Sequence, residues 1–417
     1  MFTNNEHLRN DCFPPDWEIT HLGEIGNFTK GGNISKNMLS SKGFPCVLYG
    51  EIYTKYHFLA KELSSRIPKE YIKNAKQIKY GDILFAGSGE TAEEIGKCFT
   101  YIGESSAYAG GDLIIFTPYE DNSVFLAYLL NSLPVNKQKE KLGQGHSVVH
   151  IYSKHLESIK IPLPPIPEQI AIAEVLSDVD ALIEAQEALI EKKCLIKQGV
   201  MQELLTGQKR LPGFDDEWQH VTLKDIGTTY GGLTGKSKSD FENGNSAYIP
   251  FLNILENPII NTNQFDYVNV GPLEPQNKAL YGDLFFNGSS ETPEEVGMCS
   301  VLLDNISDLY LNSFCFGFRL FDNVTYYPLF LSHLFRSEVG RDLMFSLAQG
   351  ATRYNLSKTK FLELVINVPD YKEQQSIAMI ISDIDLEINN LEKKVEKIKK
   401  IKQGMMQELL TGRTRLV

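Results

Sequence analysis

The chain has 417 residues, too many for one hydrophobic core and enough for two to four domains. Its net charge of −12 at pH 7 argues against a protein that binds nucleic acid mainly through surface Lys and Arg, although an acidic average can hide local basic surfaces. No apolar run reaches the roughly 18 residues of a membrane span, and the first residues lack the pattern of a signal peptide. Six scattered cysteines without a C-x-x-C motif indicate a reducing compartment, so we expect a cytoplasmic protein.

Two copies of one sequence unit make up the chain. Residues 196–211, IKQGVMQELLTGQKRL, return as residues 401–416, IKQGMMQELLTGRTRL, with 13 of 16 positions identical. YGDILFAGSGETAEEIGKC at 80–98 likewise returns at 281–299, and the two tryptophans, Trp17 and Trp218, are 201 positions apart. Since internal repetition marks repeated structural units, we expect two copies of a unit of roughly 200 residues.

Each copy begins with a variable part, from about Phe13 to Leu163 and from about Phe214 to Val368. Short apolar runs bounded by turn residues, such as DILFAG and DLIIF in the first part and AYIPFLNI and FCFGFRLF in the second, predict strands. SVFLAYLLNSL and YPLFLSHLFRSEVGRDLMFSL predict helices. We therefore predict one mixed α/β module of about 150 residues in each copy.

A segment with the pattern of one long helix follows each module. Prolines in IPLPPIPEQ and VINVPDYKEQ favour extended chain just before it. Spacings of three and four predict a coiled-coil seam in the second helix at Ile384, Ile388, Leu391, Val395 and Ile398, continuing through Ile401, Met405 and Leu409. The first helix has a less regular stripe at Ile172, Leu176, Val179, Ile183 and Ile190. Gly207 and Gly412 fit the left-handed residue after a helix C-terminus.

An apolar stripe on a helix needs a partner, and the nearest one is the other copy. The predicted fold is therefore two α/β modules (mixed α+β) in tandem, separated by two long antiparallel coiled-coil-like helices with pseudo-two-fold symmetry. Gly199 and Gly404 lie at matching positions inside the helices. They favour close backbone approach between the helices over the alternative, a tolerated weakness of about 1 kcal/mol each.

Three motifs suggest enzymatic chemistry and are rejected. FAGSG, at 85–89, is similar to a methyltransferase loop, but the second copy lacks its last glycine and no N-P-P-Y or D-P-P-Y motif for a flipped adenine is present. GGLTGKS, at 231–237, has three residues where a phosphate loop needs four. The acidic clusters Glu90, Glu93, Glu94 and Glu291, Glu294, Glu295 fit a turn before an acidic helix start, although Glu90 and Glu291 remain candidates to accept from cytosine N4.

The whole pattern resembles a known family. Each variable module is followed by a proline-bearing helix start that ends in Glu-Gln, as Glu168-Gln169 and Glu373-Gln374, and by the helix end KQGxMQELLTG. RLPGFDDEW then restarts the pattern at 210–218. Over essentially its whole length, this arrangement resembles the specificity (S) subunit of Type I restriction–modification systems.

The resemblance implies a non-catalytic subunit that gives a larger enzyme its DNA specificity. Residues 1–163 and 213–368 would be target recognition domains for the two halves of a split, asymmetric sequence, and 164–212 and 369–417 would be conserved spacer helices. The implied partners are double-stranded DNA, two modification (methyltransferase) subunits and restriction subunits, and no membrane. No cofactor is expected on this chain, since S-adenosylmethionine, ATP and Mg belong to the partner subunits. The alternatives are a coiled-coil scaffold, an orphan specificity subunit, and a fused adenine methyltransferase or nuclease.

Three loops in each module carry side chains suited to DNA contact. They are KGGNISK with YGGLTGKSK, GSGET with GSSET, and GQGHSVVHIYSKHL with AQGATRYNLSKTKF. The third resembles a family segment that lies against DNA; the first copy departs from it by lacking its asparagine, and we place an extra residue there. The predicted DNA-binding residues are Lys30, Ser35, Lys36, Ser88, Glu90, Thr91, Gln144, His146, Tyr152 and Lys154 in the first module, and Tyr230, Lys236, Lys238, Ser289, Ser290, Thr292, Gln349, Arg353, Tyr354, Asn355 and Lys358 in the second.

Overall fold

The computed structural model describes residues 13–145, 147–242, 244–350 and 352–416. The chain divides into two compact units, one formed by Met1–Gln186 with Lys394–Val417 and the other by Glu187–Lys393. Each unit therefore combines one module with the beginning of one long helix and the end of the other.

The first module contains thirteen described strands and four α-helices. Its strands are β1 (Glu18–His21), β2 (Gly26–Lys30), β3 (Phe44–Val47), β4 (Leu59–Ala60), β5 (Ser65–Ile67), β6 (Lys76–Ile78), β7 (Ile83–Ala86), β8 (Ser88–Gly89), β9 (Cys98–Tyr101), β10 (Ala107–Ala109), β11 (Leu113–Pro118), β12 (Val149–His150) and β13 (Lys160–Leu163). Its helices are α1 (Tyr49–Thr54), α2 (Ser123–Leu130), α3 (Leu133–Leu142) and α4 (Ser153–Glu157), with 3-10 turns at Leu22–Glu24, Lys36–Met38 and Lys69–Asn74.

A five-stranded sheet, in the order β2-β11-β7-β9-β4, forms the core of this module. Its central strand β7, ILFA, is buried along its whole length, which explains why the sequence shows a continuous apolar run there and no alternation. The apolar helix α2 packs against β9. The first strand, β1, pairs antiparallel with the last, β13, so the module closes where the long helix begins.

The second module repeats this plan. Its strands are β14 (Gln219–Thr222), β15 (Gly227–Gly231), β16 (Ser246–Ile249), β17 (Asp266–Val268), β18 (Leu284–Asn287), β19 (Ser289–Ser290), β20 (Cys299–Val301), β21 (Tyr310–Leu311), β22 (Cys315–Leu320), β23 (Ala348–Gln349), β24 (Tyr354–Leu356) and β25 (Val365–Val368). The long helix α5 (Ile166–Leu204) precedes it, and its own helices are α6 (Leu223–Ile226), α7 (Lys238–Glu242), α8 (Phe251–Glu256), α9 (Pro328–Arg336), α10 (Glu338–Leu347) and α11 (Lys358–Leu362). The core sheet has the order β15-β22-β18-β20, and β14 pairs with β25.

The second long helix is α12 (Tyr371–Leu409), and like α5 it has 39 residues. Its most buried seam positions lie seven apart, at Ile381, Ile388, Val395, Lys402 and Leu409. This heptad spacing confirms the predicted coiled-coil-like seam. One predicted member is wrong: Ile401 is 50% exposed, and the neighbouring Lys402 takes the buried position.

Two predictions about glycines have different outcomes. Gly207 and Gly412 have φ of 71° and 68°, so both end their helices in the left-handed conformation as expected. The expected close approach between the helices at Gly199 and Gly404 is wrong. Among the described residues, nothing lies within 4 Å of a Cβ built at either glycine, and both positions are exposed.

Each long helix opens on a buried Glu-Gln pair with two different tasks. In the first unit, Gln169 Nε2 donates to Asp121 and to the Pro164 carbonyl, and its Oε1 accepts from the backbone of Asn122 at 2.9 Å. Glu168 accepts two hydrogen bonds from Arg415, at 2.6 and 2.7 Å. The glutamine thus fastens the helix to its own module, and the glutamate fastens it to the segment that follows the other long helix.

The second unit repeats these bonds with one difference. Gln374 bonds to its own module through the backbone of Tyr327, and Glu373 accepts two hydrogen bonds of 2.7 Å from Arg210. In the first unit Trp17 Nε1 also donates to Glu168, at 3.1 Å. The equivalent Trp218 Nε1 is buried and has no hydrogen-bond partner among the described residues.

A second set of contacts lies further along the helices. In the first unit Asp180 accepts from the Tyr128 hydroxyl at 2.7 Å and pairs with the ammonium of Lys402. Burial lowers the pKa of Lys402, and the carboxylate of Asp180 opposes this by raising it. Since residue 168 meets 415 and residue 180 meets 402, the two helical segments of this unit run antiparallel. In the second unit Lys197 pairs with Asp385 at 2.5 Å and Arg210 pairs with Glu373, so its two helical segments also run antiparallel.

The difference in hydrogen bonding between Trp17 and Trp218 predicts that two equivalent substitutions lower the free energy of unfolding by different amounts. Glu168→Ala should lower the free energy of unfolding by about 1–3 kcal/mol more than Glu373→Ala, because it also leaves the Trp17 N–H buried without an acceptor. Chemical denaturation of the full chain measures both. Trp17→Phe and Trp218→Phe are the matched controls: they remove equal volume, and only the first should lose a hydrogen bond. Equal costs within each pair would contradict this account.

Candidate nucleic-acid interface

In each module the three predicted loops meet in one groove. The first groove, of about 190 Å³, is lined by Phe28, Thr29, Lys30, Gly87, Ser88, Asp112, Leu113, Ile114, His150, Ile151, Tyr152 and Ser153. The second groove, of about 450 Å³, is lined by Gly231, Gly232, Leu233, Thr234, Gly288, Ser289, Ser313, Phe314, Cys315, Phe316, Arg353, Asn355, Leu356 and Lys358. Segments more than 100 residues apart along the chain therefore share a surface in each module.

Short strand ladders explain why the loops come together. In the first module β8 pairs with β12, which places Ser88 opposite His150. In the second module β19 pairs with β24, which places Ser289 opposite Asn355. The second and third loops of each module are thus joined by backbone hydrogen bonds, and β2 or β15 brings the first loop beside them through the core sheet.

The third loop has the same turn in both modules. Gly145 and Gly350 have φ of 121° and 135°, and a Cβ at either would lie about 2 Å from the carbonyl oxygen three residues later, at 2.0 Å from Val148 and 1.9 Å from Arg353. Only glycine fits both requirements. The two copies align at this turn without a gap, and α4 and α11 begin at the same offset, at Ser153 and Lys358, so the extra residue placed in the first copy is wrong.

This alignment gives His150 a defined place. It stands where the second module has Asn355, since both face the equivalent serine across the ladder. The Ser88 hydroxyl and His150 Nδ1 lie 2.9 Å apart. Imidazole and amide are both groups that can donate and accept, so the exchange keeps a polar group at the base of the groove while changing its hydrogen-bonding pattern.

Arg353 is one of the two cations that line the second groove. Its Nε donates to Ser289 Oγ at 2.9 Å, and its guanidinium lies 5.0 Å from the centre of the Phe314 ring. Lys358 stands 6.0 Å from the Phe316 ring in the same groove. Two cations supported by aromatic rings thus border a surface that is also lined by glycines, which allow close approach of a ligand.

Each groove is lined by one lysine, and the two lysines come from elements that are not equivalent in the two modules. Lys30 comes from β2 in the first module. Strand pairing in the core sheets places Gly231 of β15 at the equivalent position in the second module. A Cβ built on Gly231 lies 3.4 Å from Lys358 Nζ, so the space of the missing side chain is next to the ammonium of Lys358. The two grooves therefore share a backbone plan and differ in the side chains that they present.

The structure brings only part of the predicted residues into the grooves. Those that line them are Lys30, Ser88, Tyr152, Ser289, Arg353, Asn355 and Lys358. Others are exposed or half-buried outside the groove linings, namely Ser35, Lys36, Glu90, Thr91, Gln144, Lys154, Lys238, Thr292, Gln349 and Tyr354. His146 lies outside the described residues. All of these assignments stay predictions.

Three predicted residues have their polar groups engaged within the second module. Tyr230 donates to Asp283 at 2.6 Å beneath the Arg319 guanidinium, and burial beside that carboxylate raises the pKa of its hydroxyl. Lys236 pairs with Glu274 at 2.5 Å, and Ser290 donates to Glu295 at 2.5 Å. We therefore leave these three out of the proposed interface.

The grooves also contain residues that the sequence did not single out, among them His150, Asp112 and Phe314. The ladder aligns Asp112 with Phe314, because Leu113 faces Ala86 and Cys315 faces Asn287 at equivalent positions. Asp112 has φ of 58°, an uncommon conformation for a residue other than glycine. Its only sequence signal is that it directly precedes an apolar strand, which is too common to be diagnostic.

The described residues offer little for other chemistry. They contain no group of three or more His, Cys, Asp or Glu arranged to hold a metal ion. The ammonium of Lys236, which a phosphate loop would need, is bonded to Glu274 and to the Asn269 carbonyl. None of the helices in the described part of the chain has the length and apolarity that a bilayer crossing requires.

Comparison with known proteins assigns the class. The family model described as Type I restriction modification DNA specificity domain matches residues 14–192 and again residues 215–403. The chain therefore belongs to the family of Type I restriction–modification DNA specificity domains, the class of the specificity subunits of these systems, and it carries the domain twice.

Particular relatives are similar to this chain over most of its length. The Type I restriction enzyme MjaVIII specificity subunit of Methanocaldococcus jannaschii is 26% identical over 97% of this chain and 94% of that protein. The EcoKI specificity subunit of Escherichia coli K12 is 23% identical over 92% of this chain and 85% of that protein. The crystal structure of the Type I S subunit from M. genitalium shares the fold, with a TM-score of 0.58 at 16% identity and 98% coverage of both chains.

Proposed function

We propose that this chain is the non-catalytic subunit that gives a Type I restriction–modification enzyme its DNA sequence specificity. Residues 1–163 and 213–368 act as target recognition domains, each binding one half of a split target. Residues 164–212 and 369–417 act as spacers that also dock the modification subunits, and restriction subunits join that complex. S-adenosylmethionine, ATP and Mg belong to those partners.

The observation that carries this proposal is the pair of grooves. They are alike in backbone, with the same ladder and the same glycine turn, and unlike in side chains, with Lys30 and His150 in one and Arg353, Asn355 and Lys358 in the other. DNA has the same backbone at both half-sites, whereas the bases differ. Two grooves of equal build and unequal chemistry thus support an asymmetric target.

A second observation favours docking of two like partners. In the repeated segment IKQGxMQELLTG, some identical residues are buried and need no other explanation, but Ile196 and Ile401 are 42% and 50% exposed. Gly199 and Gly404 are exposed one turn away, with open space above them. Exposed helix positions are free to diverge unless something outside the chain contacts them, so this identical face supports two equal docking surfaces for modification subunits.

The first unit shows an apolar groove beside this face. It measures about 560 Å³ and is bordered by Leu133, which is 69% exposed, and by Met406, Gln407 and Leu410 of the repeated segment. An exposed glycine next to exposed apolar side chains suits a helix of a partner, because the absent side chain permits close packing.

Mapping of DNA methylation tests the function as a whole. The chain co-expressed with its modification subunit should methylate adenine in a split asymmetric motif, with a fixed gap of about six bases if the half-sites lie one helical turn apart. Long-read sequencing of host DNA reports the motif. A stable complex without any methylated motif would favour the scaffold or orphan reading, and methylation or cleavage by this chain alone would favour the fused enzyme.

The second groove is tested by removing its cations. Arg353→Ala with Lys358→Ala should weaken DNA binding by the assembled methyltransferase about tenfold or more at moderate salt, without disturbing assembly, because both groups line the groove. Lys69→Ala with Lys224→Ala is the control: it removes the same charge from exposed positions outside the groove linings and the three loops. The placement fails if both double variants bind like the wild type.

The docking surface is tested at its glycines. Gly199→Leu with Gly404→Leu should prevent the complex with the modification subunit while leaving the chain folded, since none of the described residues lies within 4 Å of either Cβ position. Gly199→Ala with Gly404→Ala should raise helix stability by about 1 kcal/mol per site and disturb docking less. Co-purification and size-exclusion chromatography measure assembly. Normal assembly of the leucine variant would refute this surface.

A further inference from the structure

The turn beside each groove has one backbone and two different tip residues. The glycine turn fixes the carbonyl of the tip residue in the same place in both modules, and that residue is Val148 in the first and Arg353 in the second. Both side chains are exposed, with Val148 at 48%. The fold thus presents an apolar group at one tip and a cation at the other from equivalent positions.

This exchange separates two kinds of DNA contact. A phosphate contact is useful at both half-sites, because the sugar–phosphate backbone is the same at each. An apolar valine cannot neutralise a phosphate, so the tip is not a phosphate anchor that the two modules share. A base contact, in contrast, is expected to change when the base changes.

The surroundings of Arg353 point in the same direction. Arg353 Nε donates to Ser289 Oγ at 2.9 Å, and the flat face of its guanidinium lies 5.0 Å from the centre of the Phe314 ring. Among the described residues, none accepts a hydrogen bond from its two terminal nitrogens. A guanidinium fixed in orientation, with a fork of two donors left over, fits the paired acceptors O6 and N7 of guanine. A second cation, Lys358, is already in the groove to serve a phosphate.

We propose that this tip position recognises a base, and that Arg353 recognises a guanine in the half-site bound by the second module. Val148, at the same position in the first module, contacts a base through an apolar surface, for which the methyl group of thymine is the fitting partner. The inference rests on the proposed function and adds to it the residue and the base.

The test uses the complex of the full chain with its modification subunit. The wild-type motif is mapped first, and duplexes carrying it are then substituted one base pair at a time. Methylation rates and binding at two salt concentrations are compared for the wild type, Arg353→Val, Arg353→Lys and Val148→Arg. The lysine variant is the key control, because it keeps the charge and removes the fork.

Arg353→Val and Arg353→Lys should both lose discrimination at one G·C pair of one half-site, by about tenfold to a hundredfold, and keep it elsewhere. Val148→Arg should change the base preference at one position of the other half-site. The inference is overturned if Arg353→Lys keeps full discrimination while Arg353→Val weakens all duplexes equally with a smaller salt slope, which marks a phosphate contact.

Failure of the proposed function has a different result. A wild-type complex that methylates no split motif refutes the function itself. A wild-type complex with a clear motif in which Arg353→Val leaves every base preference unchanged refutes only the inference, as does Val148→Arg with an unchanged motif.

Discussion

The buried carboxylate at the start of each long helix is the interaction on which the rest of the structure depends. Glu168 and Glu373 are fully buried, and a buried carboxylate is tolerated only when it is paired and hydrogen-bonded. Arg415 and Arg210 provide that pairing from the segments after the opposite helix ends. The beginning of each helix is therefore stable only beside the end of the other, which couples the two copies of the repeat.

This constraint explains which parts of the repeat stayed alike. An arginine that satisfies a buried charge cannot change without leaving that charge unpaired, so Arg210 and Arg415 persist although neighbours such as Gln208 and Arg413 differ. The adjacent glutamines bond mainly to backbone groups, those of Asn122 and Tyr327 among them. Because most of these bonds need only the backbone of the module, most module side chains can change while the attachment is kept.

The sequence predicted the features that depend on spacing and failed at those that depend on distant pairing. The heptad seam, the helix ends at Gly207 and Gly412 and the α/β modules follow from local patterns. Lys402 in the seam was missed, because its burial depends on Asp180 and on the Phe58 ring 3.9 Å away. His150 was missed because only the ladder with Ser88 shows that it replaces Asn355, and the ion pair of Lys236 could not be foreseen because Glu274 is 38 positions further on.

The negative charge of the chain fits a division of labour between this chain and its proposed partners. Each groove presents one or two cations, too few to hold a duplex by phosphate neutralisation alone when the whole chain carries −12. Specificity, however, needs only a few well-oriented groups at base edges, and affinity can come from subunits that surround the DNA. A negatively charged chain that binds DNA weakly by itself, and tightly only within the complex, would bind poorly to DNA sequences that its grooves do not match.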